Sequence, residues 1–122
     1  MDKDLIKYIT SVLRQGTIKW SVRHAALRRV SFKKLEGKYM SGKPKWKTYW
    51  KCDKCGEEFR NVGQLEVDHI LEVGPFTGDW NTFISRMYCS LDNLQALCTI
   101  CHMRKTNNFN ATLRYARKPT SE

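Results

Sequence analysis

Hydrophobic and polar residues recur with two different periods along the chain, and the change of period predicts where helices and strands lie. A first amphipathic helix is expected from Asp2 to Arg14, where one helical face collects Leu5, Ile6, Ile9, Val12 and Leu13. A second helix is predicted from Ser21 to about Val30. A third is predicted from Asp79 to Tyr88, with an apolar face made of Trp80, Phe83, Ile84 and Met87.

Strict alternation predicts a strand from Lys45 to Cys52. One face would carry Trp46, Thr48, Trp50 and Cys52, and the other Lys45, Lys47, Tyr49 and Lys51. Shorter strands are predicted at Gln64 to Ile70 and at Leu94 to Leu97. Residues 33–44 contain Gly, Ser, Pro and four lysines with little periodicity, which predicts a basic loop. A last helix is expected from Cys101 to about Asn107, with a further turn or two from Ala111 to Lys118.

The net charge of +10 at pH 7 is divided unevenly along the chain of 122 residues. Residues 1–51 carry 14 basic residues against 3 acidic ones, residues 52–100 carry 3 against 8, and residues 101–122 carry 5 against 1. A nucleic-acid-binding protein needs positive charge to neutralise phosphates, and a site for a hard cation needs carboxylates. The division supplies both. The alternative is that the lysines only form a solvated surface.

The first residues and the cysteines bear on the compartment in which the protein works. Met1 to Thr10 mixes charged with isolated apolar residues, and no run approaches the roughly 20 apolar residues of a membrane span. We therefore expect a cytoplasmic protein that is not secreted. Thiols remain reduced in the cytoplasm, so paired cysteines are expected to bind a metal rather than form disulfides.

Four of the five cysteines form two C-x2-C pairs. Cys52 pairs with Cys55 and Cys98 with Cys101, and 42 residues separate the pairs. A structural zinc ion takes four thiolates at about 2.3 Å in a tetrahedron, and a tight C-x2-C turn brings two sulfur atoms to one ion. The spacing predicts one structural Zn²⁺ held by all four, with unpaired thiols or an iron centre as alternatives. Cys89 is expected to be a small buried hydrophobic residue.

Two of the three histidines lie beside other chemically active residues. Asp68 and His69 end a predicted strand, and His102 directly follows Cys101. Neighbouring residues on a helix point about 100° apart, so His102 is expected to face a second site. An Asp and a His for a hard cation, with another His that accepts a proton from water, form the minimum set for metal-assisted phosphodiester hydrolysis. The alternatives are a structural hydrogen-bonded Asp–His pair and a surplus zinc ligand at His102.

The order of these residues resembles that of the four-cysteine HNH nucleases, especially the compact type common in phage genomes. C-D-K-C-G begins the pattern at Cys52, V-D-H-I follows at Val67, and D-N-L-Q-A-L-C-x-x-C-H-M-R-K-T ends it at Thr106. The resemblance covers residues 52–106 in order and spacing. It implies an α+β fold, a zinc-stapled treble-clef domain with the ββα-metal motif. A nuclease core over residues 52–122 would follow a basic helical and strand extension over residues 1–51, packed on the core and binding DNA.

The resemblance also implies roles for single residues. Asp68 and His102 would hold a catalytic Mg²⁺ or Mn²⁺, for which Ni²⁺, Co²⁺ or Zn²⁺ are substitutes. His69 would be the general base in hydrolysis of DNA, which leaves a 3′-hydroxyl and a 5′-phosphate. Asn93 is the middle letter of HNH and is expected to brace the loop that aims His69, although Asn after Asp is also ordinary turn chemistry. Glu72 is expected in solvent, with the metal as the alternative.

One geometric condition applies to this set. In a regular strand Asp68 and His69 would point to opposite faces, so both can serve one site only if the strand ends or twists there. The expected DNA contacts are the cationic strand face and the last helix, where Lys105 and Thr106 share the face of His102. They comprise Lys45, Lys47, Lys51, Arg104, Lys105 and Thr106.

Two other functions are compatible with part of the pattern. A non-catalytic zinc module that binds DNA or RNA would explain the cysteines and the charge but leave Asp68, His69 and His102 as coincidence. A rubredoxin-like iron carrier usually has Gly after the second Cys of each pair, whereas His102 follows Cys101 here. For a phage nuclease in the host cytoplasm, homing, degradation of host DNA and work with the packaging machinery all stay open, as does the oligomeric state.

Overall fold

The computed structural model describes the backbone of residues 1–117 and the side chains of residues 1–111. Within that range the helices are α1 (Lys3–Gly16), α2 (Ser21–Arg29), α3 (Trp80–Met87) and α4 (Thr99–Arg117). The strands are β1 (Ser31–Lys38), β2 (Pro44–Lys51), β3 (Glu58–Phe59), β4 (Leu65–His69) and β5 (Leu94–Cys98). This mixture confirms the predicted α+β class. None of the helices in this part of the chain has the length and hydropathy of a membrane crossing.

The N-terminal helices begin where the sequence predicts. The Asp2 side chain caps α1 by accepting a hydrogen bond from the Asp4 N–H at 3.2 Å. No residue of α1 is fully buried, and the side chains of its apolar face are half-buried or exposed. Helix α2 buries Ala26 and ends at Arg29, whose guanidinium donates to the backbone carbonyl of Leu94 at 2.7 Å.

The prediction of a basic loop over residues 33–44 is wrong for its first half, because residues 33–38 belong to strand β1. It pairs antiparallel with β2, with Phe32 opposite Tyr49 and Lys34 opposite Lys47. Lysine has little intrinsic preference for strands, but pairing supplies partners that sequence alone does not show. Lys34 Nζ lies 2.6 Å from a Glu58 carboxylate oxygen on β3 and 5.1 Å from the centre of the Tyr49 ring.

Strand β2 has the predicted alternation, but only part of its apolar face is covered. Trp50 packs against the core together with Phe59, its partner on β3. Trp46 was expected on the same covered face, yet it is 54% exposed, as is its cross-strand partner Leu35. The β1–β2 hairpin extends beyond the core at this end, so no element in the described part of the chain covers either side chain.

The core lies where β4, β5 and the start of α4 meet. Strands β4 and β5 pair antiparallel, with Leu65 opposite Cys98 and Asp68 opposite Gln95. A buried cluster joins two leucines to three of the paired cysteines and consists of Cys52, Leu65, Leu97, Cys98 and Cys101. So small a core leaves little stability in reserve, and a metal that links its parts would add to it.

Helices α3 and α4 differ in how well the sequence predicts them. Helix α3 begins after Asp79, whose carboxylate accepts from the Asn81 N–H at 3.1 Å, and it buries Phe83 and Met87 as expected. Ile84, expected on the same face, is 39% exposed. Helix α4 is one continuous helix through Arg117, whereas two shorter segments were expected. Residues 118–122 lie outside the described part of the chain.

Candidate active site and metal centre

The first cysteine pair lies in a tight turn between β2 and β3. The Gly56 N–H donates to the Cys52 carbonyl at 3.0 Å, and its φ of +76° is one that glycine adopts without strain. Asp53 joins this turn to β5: its N–H donates to the Ala96 carbonyl at 2.8 Å, and its carboxylate accepts from the Ala96 N–H at 2.8 Å. The turn therefore lies beside Cys98, the last residue of β5.

The four paired cysteines form the cluster that the sequence predicts. Their sulfur atoms all lie within 4.8 Å of one another. Cys55 Sγ and Cys98 Sγ are 3.8 Å apart, which matches the separation of about 3.8 Å between two ligands 2.3 Å from a tetrahedral ion. The donor atoms and their spacing fit a zinc ion, so the cluster could hold one. Cys89 is not part of the cluster and is half buried.

The surroundings of Cys52 favour its thiolate form. Burial raises the pKa of this thiol, but hydrogen bonds from the backbone N–H groups of Cys55, Cys98 and Lys54 outweigh burial and lower the pKa to about 6. Burial and the neighbouring cysteine sulfurs raise the pKa of Cys101 to about 12. A cation among the sulfurs would remove the repulsion that keeps Cys101 protonated.

Asp68 and His69 lie at the end of β4 and line one open cleft of about 690 Å³ together with His102 of α4. Strand β4 ends at His69, which meets the condition for two consecutive side chains to reach the same space. The structure thus brings together the three residues that the resemblance singles out. His102 lies in this cleft although its neighbour Cys101 belongs to the sulfur cluster.

One nitrogen of the His69 ring is held by the backbone. His69 Nε2 lies 2.7 Å from the carbonyl oxygen of Met87, the last residue of α3. A carbonyl only accepts hydrogen bonds, so Nε2 carries the hydrogen and donates it. In the neutral ring Nδ1 is then the acceptor, which is the tautomer that a general base acting through Nδ1 requires.

The His102 ring is held between two carboxylates of β4. Its Nδ1 lies 2.7 Å from Glu66 Oε2, and its Nε2 lies 3.9 Å from Asp68 Oδ1. Two ligands each about 2.1 Å from one octahedral ion are about 3.0 Å apart when adjacent and about 4.2 Å apart when opposite. At 3.9 Å, Asp68 Oδ1 and His102 Nε2 are near enough that a movement of less than about 1 Å would let both bind one divalent cation. The sequence analysis missed Glu66. Its spacing of two residues from Asp68, which places both on one strand face, is the signal that could have found it.

Lys105 of α4 contacts the same carboxylates. Its ammonium donates to Asp68 Oδ2 and to the His69 backbone carbonyl, and it lies 3.2 Å from Glu72 Oε1. Gln95 also donates to Asp68 Oδ2, at 3.2 Å. Lys105 was expected to face phosphates and Glu72 to face solvent. The structure places Lys105 against Asp68. Glu72 is exposed, as expected, and it also lines the cleft.

Asn93 binds the loop that follows His69. Its backbone carbonyl accepts from the Ile70 N–H at 2.8 Å, and its side-chain oxygen accepts from the Leu71 N–H at 2.9 Å. The side-chain amide also donates to the Leu71 carbonyl, at 3.3 Å. These three bonds fix the backbone of the two residues directly after His69.

The predicted DNA-contacting residues fall on two surfaces. Lys45, Lys47 and Lys51 share one face of β2 with Tyr49, as their alternation requires. Aromatic rings support the cations of this face: Lys45 Nζ lies 5.5 Å from the centre of the Tyr39 ring. On α4, Thr106 is exposed, and Arg104 lines a groove together with Lys54 and Lys105.

Comparisons with known proteins find similarity over about half of the chain. "DNA annealing helicase and endonuclease ZRANB3" of Homo sapiens and of Mus musculus is each 38% identical over 64 residues, which cover 50% of this chain and 5% of that protein. "Probable HNH endonuclease" of Lactococcus phage SK1 is 37% identical over 59 residues, which cover 48% of this chain and 55% of the phage protein. No protein family model matches the chain, and no solved structure matches it significantly. Half of the chain is therefore similar to proteins named as endonucleases.

Proposed function

We propose that this protein is a metal-dependent DNA endonuclease of the HNH type. The observation that carries the proposal is the arrangement around His69. Its Nε2 is held by the Met87 carbonyl, which leaves Nδ1 as the acceptor of the ring, and His69 lines the same cleft as Asp68 and His102. A base, two ligands for a hard cation and space for a substrate thus occur together. Similarity to two kinds of protein named as endonucleases supports the same function.

The order of elements supports an HNH fold. Strands β4 and β5 pair antiparallel, with α3 between them in the chain, and α4 follows β5 directly, which makes a ββα unit. Strand β4 and helix α4 line the cleft, and β5 pairs with β4 beside it. The two cysteine pairs join the β2–β3 turn to the start of α4, as in a zinc-stapled treble clef. In this proposal the nuclease core begins at Cys52, and residues 1–51 form the basic extension that binds DNA.

The proposed reaction is hydrolysis of a phosphodiester bond. His69 Nδ1 accepts a proton from water while the water oxygen bonds to phosphorus. The bond from phosphorus to the 3′-oxygen then breaks, and that oxygen takes a proton from solvent. The products carry a 3′-hydroxyl and a 5′-phosphate. A Mg²⁺ or Mn²⁺ bound by Asp68 and His102 would stabilise the charge that develops on the phosphate and on the departing oxygen.

The surrounding residues have supporting roles. Glu66 holds His102 Nδ1, which directs Nε2 toward Asp68, and Asn93 fixes the backbone after His69. The cationic face of β2 would bind DNA phosphates without reading sequence. Such an enzyme would act in the cytoplasm, which for a phage-encoded protein is that of the host cell, where homing, degradation of host DNA and DNA packaging take place.

The test is cleavage of supercoiled plasmid with Mg²⁺, with Mn²⁺ or with EDTA. We expect nicking or linearisation that requires the metal and that falls about 10²- to 10⁴-fold in His69→Ala, the range for loss of a general base. His24→Ala is the matched control, because His24 is exposed on α2 and does not line the cleft.

Equal cleavage by the parent and His69→Ala would contradict the proposal. A parent that binds the plasmid but never cuts it, with either metal, would instead favour the non-catalytic zinc module. Both results are informative only with zinc-loaded protein, so zinc content is measured on each sample before the assay.

A further inference from the structure

We propose that Arg14, in the last turn of α1, forms a phosphodiester-binding site on the catalytic cleft. Arg14 lines the cleft that contains Asp68, His69 and His102. It lies in the N-terminal part of the chain, outside residues 52–106 that carry the motif pattern. The proposal rests on the proposed function and extends it, because it assigns part of the substrate contact to a helix otherwise expected only to provide general affinity for DNA.

The end of α1 is fixed to the residue that follows α3. Tyr88 Oη donates to the Leu13 carbonyl at 2.6 Å, and the Trp20 ring meets the Tyr88 ring edge-on with centres 5.1 Å apart. Gly16 leaves room for this contact, since a Cβ there would lie 2.5 Å from Tyr88 Oη. Arg14 is therefore carried by a part of α1 that is held against the core.

The same short segment positions both the base and the arginine. The Met87 carbonyl accepts from His69 Nε2, and the side chain of the next residue, Tyr88, binds the backbone of Leu13. Arg14 follows Leu13 directly. The backbone that carries Arg14 and the ring of His69 are thus each bound to one of two consecutive residues, Met87 and Tyr88, so the start of the arginine side chain has a fixed position relative to the imidazole.

The Arg14 guanidinium is available to a ligand. The residue is exposed, and its side chain makes no ion pair or hydrogen bond with any residue in the described part of the chain. The two carboxylates that line the same cleft, Asp68 and Glu72, are both in contact with Lys105. An arginine without a partner at the edge of a cleft is suited to an anion that comes from outside.

The charge of the cleft also favours a phosphodiester as that anion. Asp68 and Glu72 are balanced by Lys105 and Arg14, and a divalent cation would then leave the cleft positive. A phosphodiester carries one negative charge and presents two free oxygens that a guanidinium can bind with both arms. The position of Arg14 therefore suits a non-bridging oxygen of the bound phosphate or of its neighbour in the strand.

The test compares Arg14→Ala and Arg14→Lys with the parent. At saturating Mg²⁺ and plasmid concentrations well below saturation, we expect the cleavage rate of Arg14→Ala to fall about 10- to 100-fold, the range for loss of one charge-assisted hydrogen bond. Arg14→Lys keeps the charge without the planar guanidinium, so its cleavage rate should lie between those of the parent and Arg14→Ala. Arg28→Ala is the matched control, because Arg28 is also an exposed arginine in the last turn of a helix but does not line the cleft.

A second readout does not depend on cleavage. In EDTA, Arg14→Ala should bind a short random-sequence duplex more weakly than the parent does. The negative slope of log affinity against log salt should become less steep by about 0.9, as for one lost phosphate contact. Parental cleavage by Arg14→Ala at plasmid concentrations well below saturation, while His69→Ala is inactive, would overturn the role of Arg14 and leave the proposed function intact.

If the parent itself does not cut, the proposed function fails and the binding experiment decides on Arg14 alone. An unchanged affinity and salt slope in Arg14→Ala would then reject the phosphate site. A loss of affinity equal to that of Arg28→Ala would also reject it, because two unrelated surface arginines would contribute the same general attraction.

Discussion

The carboxylate of Glu66 lies 2.7 Å from Nδ1 of His102, while Nε2 of the same ring faces Asp68 at 3.9 Å. Both carboxylates come from one face of β4, and the histidine comes from the first turns of α4. The strand therefore sets the orientation of a side chain on the helix that packs against it. For a metal-ligating histidine, such a partner fixes the ring and makes its free nitrogen a better donor to the metal.

Removing this partner should weaken metal binding without emptying the zinc site. We expect Glu66→Ala to raise the Mg²⁺ concentration needed for half-maximal cleavage about 10- to 100-fold, the range for loss of a carboxylate behind a ligating histidine. Glu66→Gln should need a Mg²⁺ concentration close to that of the parent, because its amide oxygen still accepts from Nδ1–H. If Glu66→Ala needed no more metal than the parent, the Glu66 contact would be only a surface ion pair.

Lys105 should compete with a cation for Asp68. Replacing it with Met removes the ammonium that contacts Asp68 and Glu72, so we expect Mn²⁺ to bind about two- to fivefold more tightly, a modest gain because these groups are partly solvated. Calorimetric titration of zinc-loaded protein without DNA measures this directly. Arg104→Met is the control, since Arg104 is on the same helix but exposed. Weaker Mn²⁺ binding by Lys105→Met would mean that the lysine supports the site.

Substitutions of two adjacent residues at the start of α4 should affect two different metal sites. Cys101→Ser removes a sulfur from the four-cysteine cluster, so we expect loss of zinc and a fall in melting temperature on the order of 10 °C or more, because metal binding contributes to folding. His102→Ala should keep its zinc and nearly the parental melting temperature while losing metal-dependent cleavage. Elemental analysis and thermal denaturation separate the two. A His102→Ala protein that lost zinc would show that the residues share one site.

The pattern of residues from Cys52 to Thr106 predicted much of the candidate site. The cysteine spacing was sufficient because four thiolates in two tight turns have few uses other than a shared ion. Asp68, His69 and His102 could be grouped because their order resembled a known family, whereas Glu66 could not. A glutamate in a strand is ordinary, and its importance depends on the register between β4 and α4, which is set by packing.

The N-terminal part was harder to predict for the same reason. Residues 33–44 carry lysines that disfavour strands, and only pairing with β2 makes β1 a strand. The exposure of Trp46 follows from where the hairpin extends past the core, and local alternation cannot show that. Likewise, Arg14 reaches the cleft through the Tyr88–Leu13 contact, which joins residues far apart in sequence.

DNA affinity should depend on which face of the hairpin carries a charge. Lys47 lies on the face with Tyr49, and Lys33 lies on the opposite face of the adjacent strand, beside Thr48. We expect Lys47→Glu to weaken binding of a short duplex several-fold more than Lys33→Glu, although the change in net charge is the same. The salt dependence of duplex affinity should become weaker only for Lys47→Glu, because only that change removes a phosphate contact. Equal losses would indicate general attraction rather than a binding face.

Cys55 and Cys98, whose sulfur atoms lie 3.8 Å apart, are separated by 43 positions in the chain. During synthesis the first cysteine pair therefore emerges from the ribosome well before the second, with β4 and α3 emerging in between. Neither the four-cysteine cluster nor the cleft can form until the start of α4 has been synthesised, because Cys101 and His102 are adjacent there. Under the proposed function, a nascent chain would be unable to cut nucleic acid until that point, and one late step of folding would complete both sites together.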